Sequence, residues 1–201
     1  MAYPTVSAPY GLKPINAIGG RVYAGATRQY QIASGDSTGI FYGDAVKLTN
    51  AGVVTKDTMT TAASGSTIGV FTGCSYVNAQ GQTIYSQYFP ASTTAPTGTV
   101  ITAYVIDDPD VCFKVAYVSS GTTVAFIGRT VIGNNLALVQ NSGSTTTGDS
   151  AVAVSSEATT STLPIRVVDV VPETANSSGN FCELIVKWNF AIHFNQIATG
   201  V

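Results

Sequence analysis

Charge is what this chain of 201 residues has least of: nine Lys and Arg, eleven Asp and Glu and a single His leave a formal net charge of −2. The basic residues Lys13, Arg21, Arg28, Lys47, Lys56, Lys114, Arg129, Arg166 and Lys187 stand singly along it. Gripping a phosphate backbone takes a basic patch or stripe, so nucleic acid is not an expected partner. No apolar run approaches the roughly 20 residues that cross a bilayer as a helix. The opening "MAYPTVSAPYGLKP" has neither the basic start nor the apolar middle of an export signal. The expectation is a soluble protein, not exported by that route, with no membrane partner. Cysteine is sparse and odd in number: Cys74, Cys112 and Cys182 lie far apart and fit no C-x-x-C or zinc spacing. Reduced thiols filling the core are the default for such residues.

Straight-chain helix formers are missing as well. There are 6 Leu against 27 Thr, 23 Val, 18 Ser and 14 Ile. Side chains branched at Cβ are stiff and suit a pleated, half-buried surface. Twenty Gly and eight Pro interrupt most windows long enough for a helix. The composition therefore predicts an all-β protein, a small β-barrel or β-sandwich built from antiparallel hairpins. A Thr, Ser, Asn and Tyr surface with so few charges further predicts that neighbouring subunits cover much of it.

Pro4, Pro9 and Pro14 recur through the first fourteen residues and hold the backbone extended. Residues 1–20 are accordingly expected to form an extended arm that lies over its own domain or reaches onto a partner, with Tyr3 and Tyr10 as anchors. An all-β domain is expected at 21–201; a division into two subdomains, about 21–98 and 99–201, stays open. "KLTNAGVVTK" predicts a hairpin turning at Asn50–Gly52, and "CSYVNAQGQTIYSQYF" a second turning at Ala79–Gln82. "TVITAYVI" and "VCFKVAYV" predict a third, joined by Asp107–Asp110. "ELIVKWNFAIHF" alternates over twelve residues and predicts one long strand, Leu184 to Phe194 on the buried face and Glu183 to His193 on the polar one. The Ser- and Thr-rich stretch 141–164 predicts an exposed loop with one edge strand at Ala151–Ser155.

Chemistry-bearing motifs are few. Asp107, Asp108 and Asp110 crowd three acids into four positions, the one weak candidate for a metal site. They lack the D-x-D-x-D-G spacing and the final Glu of a calcium loop, and strand alternation puts Asp107 and Asp108 on opposite faces. Asp-Pro starts a turn, so a turn is the better reading. "GDSTG" at 35–39 matches G-x-S-x-G but leads into a strand, where a nucleophile elbow needs a helix. His193 would have to serve any triad alone and is expected at the surface or an interface. Paired carboxylates of a glycosidase stay open because the fold sets their geometry. The sequence "NSS" at Asn176 is a formal glycosylation site, expected to be irrelevant without a secretory signal. Tyr85, Tyr88 and Phe89 in "YSQYF" suit either subunit contacts or stacking on sugar rings, the first being preferred. No catalytic residue and no cofactor is expected.

The stretches "MAYPTVSAPYGLKPI", "GGRVYAG", "IFYGDAVKL", "GVFTGCSY", "SQYFPAST", "DDPDVCFKV", "LPIRVVDVVPE" and "IVKWNFAIH" resemble small virion proteins of tailed bacteriophages from aquatic and cyanobacterial hosts. "GDAVKLTNAGVV" with "IGVFTG" is similar to the β-barrel units of capsid decoration, or cement, proteins. The resemblance implies a non-enzymatic homotrimer on the capsid exterior, assembled in the host cytoplasm, that binds the major capsid protein lattice and ties capsomers together. The expected docking element is the arm from Met1 to Pro14, including Tyr3, Pro4, Pro9, Tyr10 and Pro14, with the loop 141–164 as second candidate. A tail, fibre or carbohydrate-binding adhesion component of the virion is the alternative.

Overall fold

The computed structural model describes residues 8–61, 66–175, 181–190 and 192–196. As the composition predicts, they are almost wholly β, with three short 3-10 turns and fifteen strands. The strands build two main sheets and a two-stranded ribbon. One is a small barrel: β4 (Ala45–Leu48), β5 (Val54–Lys56), β3 (Arg28–Ile32), β8 (Ile101–Ile106) and β6 (Thr67–Val77) lie in that order, and β4 pairs back onto β6 to close the ring. β7 (Thr83–Ser86) extends β6 outside the ring. Every pairing is antiparallel except β3 with β5, which meet in parallel at Ile32 and Val54.

The second sheet has seven antiparallel strands in the order β13 (Ala153–Ala158), β12 (Asn135–Val139), β14 (Ile165–Val170), β15 (Glu183–Trp188), β9 (Val111–Ala116), β1 (Lys13–Ala17) and β2 (Arg21–Val22). A two-stranded ribbon of β10 (Val118–Ser120) and β11 (Thr123–Val124) stands apart. The chain thus starts in the large sheet, crosses to make the barrel, and returns.

Burial follows the β-branched pattern. Ile32, Val46, Val54, Ile68, Phe71 and Ile101 fill the barrel. A second, larger cluster covers the inner face of the seven-stranded sheet with Phe113, Val115, Leu136, Val154, Val167, Val186 and Trp188, among others. It also takes in Ala45, Val70 and Ile106 from barrel strands, so barrel and sheet share one apolar layer. Each such side chain contributes about 1.5–3 kcal/mol when fully buried, so this layer outweighs any single polar contact. The barrel closes tightly because Gly69, at φ +149°, has no side chain: a Cβ there would stand 1.9 Å from the Ile106 carbonyl oxygen.

The hairpins at 49–53 and 78–82 form as predicted, held by Thr49 N–H to Val53 O and Asn78 N–H to Gln82 O, both 2.9 Å. The third does not. β8 is paired on both edges, by β3 and β6, and β9 on both of its own, by β15 and β1. Asp107–Asp110 is therefore the crossover between sheets, because neither flanking strand keeps an edge for the other. The sheets divide there rather than at residue 98, and β8 belongs to the barrel.

Three other expectations are corrected. Residues 1–20 are not an arm throughout: Leu12 is fully buried, and Lys13–Ala17 is a strand between β9 and β2. Proline tolerates this because Pro14 sits beside a register shift in the β1–β9 ladder. The stretch 141–164 is only partly exposed, since Val152 and Val154 enter the core; its edge strand is β13. The last strand stops at Trp188, where Asn189 turns to the 161–164 segment. Its N–H donates to Pro164 O at 2.8 Å and its Nδ2 to Ser161 O and Leu163 O at 2.9 Å each. Beyond it the alternation breaks down: Phe190 is exposed, while Ile192 and His193 are both buried.

One buried charge ties the parts together. Asp44, fully buried ahead of β4, accepts Lys56 Nζ at 3.0 Å, the Ser150 hydroxyl at 2.6 Å and the Phe41 N–H at 2.9 Å. Replacing it with Ala strands the Lys56 ammonium, whose side chain is only 11% exposed. Asp44→Ala is expected to lower the unfolding free energy by about 3–5 kcal/mol, as measured by urea denaturation. A loss below about 1 kcal/mol would show that the charge is not a structural centre.

Candidate functional site

Two segments singled out for docking meet in one place. Residues 8–12 run between Gly43 and the segment leading into β13: Gly11 N–H donates to Val152 O at 3.1 Å and Leu12 N–H to Gly43 O at 3.0 Å. Gly11, at φ +81°, allows the approach, since a Cβ there would lie 2.7 Å from Ser150 Cβ. On the far side Tyr42 pairs with the 148–150 backbone through Tyr42 N–H to Gly148 O and Ser150 N–H to Tyr42 O, each 3.0 Å. A cleft of about 400 Å³ opens between Pro9, Tyr10, Gly143, Thr147 and Asp149.

Polar side chains fasten this region. Lys13 Nζ is 2.6 Å from Asp149 Oδ1 and lies 3.7 Å from the centre of the Tyr42 ring. Burial lowers the Lys13 ammonium below its ordinary value against the opposing pull of Asp149. Gln87 Nε2 also donates to Asp149 Oδ1, at 3.1 Å. Tyr10 donates its hydroxyl to Glu183 Oε1 at 2.6 Å, and Lys114 Nζ stands 3.2 Å from the same oxygen. Burial, and then the hydrogen bond and charge of Glu183, push the Tyr10 phenol well above its ordinary range. Pro9 and Tyr10 therefore line the cleft and hold to their own domain, while Pro14 lies in β1. Tyr3 and Pro4 lie outside the described residues.

At the crossover the acids go separate ways. Asp107 Oδ2 accepts the Tyr30 hydroxyl at 3.0 Å and faces Arg28 at 3.4 Å. Asp108 turns inward on its own loop, its Oδ1 accepting Asp110 N–H at 2.8 Å and its carbonyl Val111 N–H at 3.3 Å. Asp110 faces Lys187 and Arg21, both at 3.2 Å. Three carboxylates with three sets of partners do not converge on one point. Among the described residues no group of three His, Cys, Asp or Glu side chains is placed to hold a metal ion.

The remaining candidates separate similarly. Segment 35–39 is a loop with Thr38 N–H on Asp36 Oδ1 at 2.9 Å, and no helix follows it. His193, expected at a surface, is fully buried beside Trp188; its Nδ1 accepts Asn195 N–H at 3.2 Å, which leaves the proton on Nε2. Burial holds this imidazole below its ordinary value, against the Ile68 backbone and the Asp107 and Asp108 charges. All three cysteines are buried and unpaired, and burial pushes the Cys74 thiol up to about 12. Asn176 lies outside the described residues. Of the aromatic residues of "YSQYF", Phe89 is buried, Tyr88 stacks on Phe41 at 5.5 Å, and Tyr85 stands out in solvent.

Lys13, Tyr42, Gln87 and Asp149 were not singled out from the sequence. Lys13 and Asp149 are 136 positions apart, and no local spacing signals such a pair. Comparison with protein families, with curated proteins and with solved structures returns no match for the chain.

Two outcomes test this geometry. Because the folded Tyr10 phenol titrates above its unfolded value of 10.0, its share of stability is full below that pH and lost as pH rises through the folded value. Tyr10→Phe should flatten the alkaline decline in urea melts between about pH 9 and pH 11; an unchanged slope would remove Tyr10 as an anchor. At the crossover, the thermal midpoint of the protein and of Asp107→Asn/Asp110→Asn should be indifferent to chelator and to added calcium. The double substitution itself should cost on the order of 1 kcal/mol through the exposed ion pairs. A chelator-sensitive midpoint in the unaltered protein would restore the metal reading.

Proposed function

We propose that this protein is a non-enzymatic structural component of a tailed-bacteriophage virion, a capsid decoration protein that binds the outer surface of the major capsid protein lattice as a homotrimer. The observation that carries the reading is the meeting of the 8–12 segment with the 142–151 loop around one cleft. Resemblance and Pro spacing point to the first of these as a docking element, and composition to the second. Their union makes a single surface.

Charge supports the same reading. With so few ionised side chains, a surface gains more from being covered by protein than one dense in Lys and Glu would. Val22 and Phe190 are 85% and 76% exposed, apolar side chains of the kind a subunit contact would cover. Each contact with the lattice can be weak. Once one subunit of a trimer is engaged, the other two act at high effective concentration, and the assembly holds without a strong single site. The lattice is then stabilised by as much as the trimer prefers it to free capsid subunits.

The fold limits which truncation can test the arm. Removing residues 1–14 would take Leu12 out of the core and Lys13 off Asp149, so the informative truncation ends at residue 7. The truncated protein should keep its melting temperature and stay trimeric in light scattering, just below the three times 20.7 kDa of the full chain, and should no longer co-sediment with purified capsids. Co-sedimentation at full strength would show that the arm does not dock. Density for the protein at the tail, in images of the intact particle, would overturn the capsid reading itself.

A further inference from the structure

A second concavity lies on the barrel, where β6, β7 and β8 pass beneath Tyr42. It is a shallow groove of about 420 Å³, within the range of small-molecule sites. Tyr42, Tyr85 and Tyr104 form its walls, Ser86 and Gln87 its rim, and Gly73 its floor. Register explains the arrangement. Gly73 and Ser75 point to the same face of β6; Tyr104 lies opposite Gly73, and Tyr85 opposite Ser75. Because Gly73 carries no side chain, the space between Tyr104 and β7 stays open: a Cβ there would press to 3.0 Å from Ser86 O.

The tyrosines here differ from those elsewhere. Tyr10, Tyr30 and Tyr117 spend their hydroxyls on Glu183, Asp107 and Glu157. Tyr104 is steadied by Ser75 Oγ at 3.1 Å, and Tyr42 by Lys13 above its ring. Tyr85 is 76% exposed, an aromatic ring held in water on an edge strand. Neighbouring groups are thus fixed while Tyr85 is left available.

The lining carries no ionisable acid or base other than tyrosine and cysteine. The Lys13 ammonium above the Tyr42 ring is already answered by Asp149, so a phosphate or carboxylate ligand would find no free cation in the lining. An apolar ligand would be left facing water in so open a site, against hydroxyl and amide groups that stay wet. Aromatic faces beside hydroxyls and an amide, without charge, suit a ligand that is apolar on its ring face and hydroxylated at its edge. We infer that this groove binds a neutral saccharide, with Tyr85 stacking on a sugar ring over the Gly73 floor and Gln87 and the Tyr42 hydroxyl bonding its hydroxyls. The inference does not rest on the capsid reading, since it concerns only the face formed by β6, β7 and β8.

The full-length protein, screened on an array of neutral and acidic oligosaccharides, should retain neutral ones of two to six hexose units, and the best should then be titrated calorimetrically. Tyr85→Ala should weaken binding about tenfold or more, and Tyr85→Phe should keep it within about threefold, since stacking and not the hydroxyl is at stake. Both variants should melt with the unaltered protein, because Tyr85 takes no part in the core. Retention of no saccharide, of acidic ones alone, or equal binding by Tyr85→Ala would overturn the assignment. So would a groove occupied instead by a peptide paired on β7.

Discussion

The carboxylate of Asp44 is the constraint on which the rest of the structure depends. It has no access to water, and an ionised group so placed must be met on all sides. Lys56 reaches it from the barrel, Phe41 from the backbone of its own loop, and Ser150 from the segment that leads into the large sheet. An apolar contact in the same position would tolerate sliding. A buried charge with three directional partners does not, so barrel, loop and sheet are held in one register.

That register places the chain's openings. The segment 41–44 carries Tyr42 onto the 148–150 backbone and, on its other side, under the N-terminal residues; Tyr42 lines the barrel groove, and its partner segment supplies Asp149 and Ser150 to the 400 Å³ cleft. Asp149, answered by Lys13 and Gln87, sits between the two concavities. The few charges of this protein are thus used at joints between segments: Asp44, Asp110, Asp149 and Glu183 each fasten elements distant in sequence. What remains for the outer surface is mainly hydroxyl, amide and aromatic.

The crossover 107–110 shows the same economy. Its turn is local, with Asp108 closing on Asp110 and Val111, while Asp107 and Asp110 reach out to Arg28 and Lys187 in opposite sheets. Acids that look like a cluster in the chain act as separate ties on either side of a change of sheet. His193 belongs to this neighbourhood, buried and neutral near Trp188, and Asn195 donates to the Asp107 carbonyl at 3.3 Å. The C-terminal turn thereby closes over the crossover.

Much of this was legible in the chain. The β class follows from Thr, Val and Ile outnumbering Leu, because Cβ branching acts on each residue locally. The turns at Asn50–Gly52 and Ala79–Gln82, the inert cysteines and the alternation from Glu183 to Trp188 are likewise short-range. What needed the tertiary structure was every question of which edge meets which. The strands 101–106 and 111–116 have the pattern of a hairpin, yet β3, β6, β1 and β15 occupy all four of their edges. Alternation past Trp188 was cut short by Asn189, whose partners lie more than 20 residues away. Leu12, Lys13 and Val154 were drawn into sheet and core by neighbours that composition cannot name. Period and propensity are properties of a segment; pairing and ion-pair geometry are properties of segments brought together, and only the folded chain decides them.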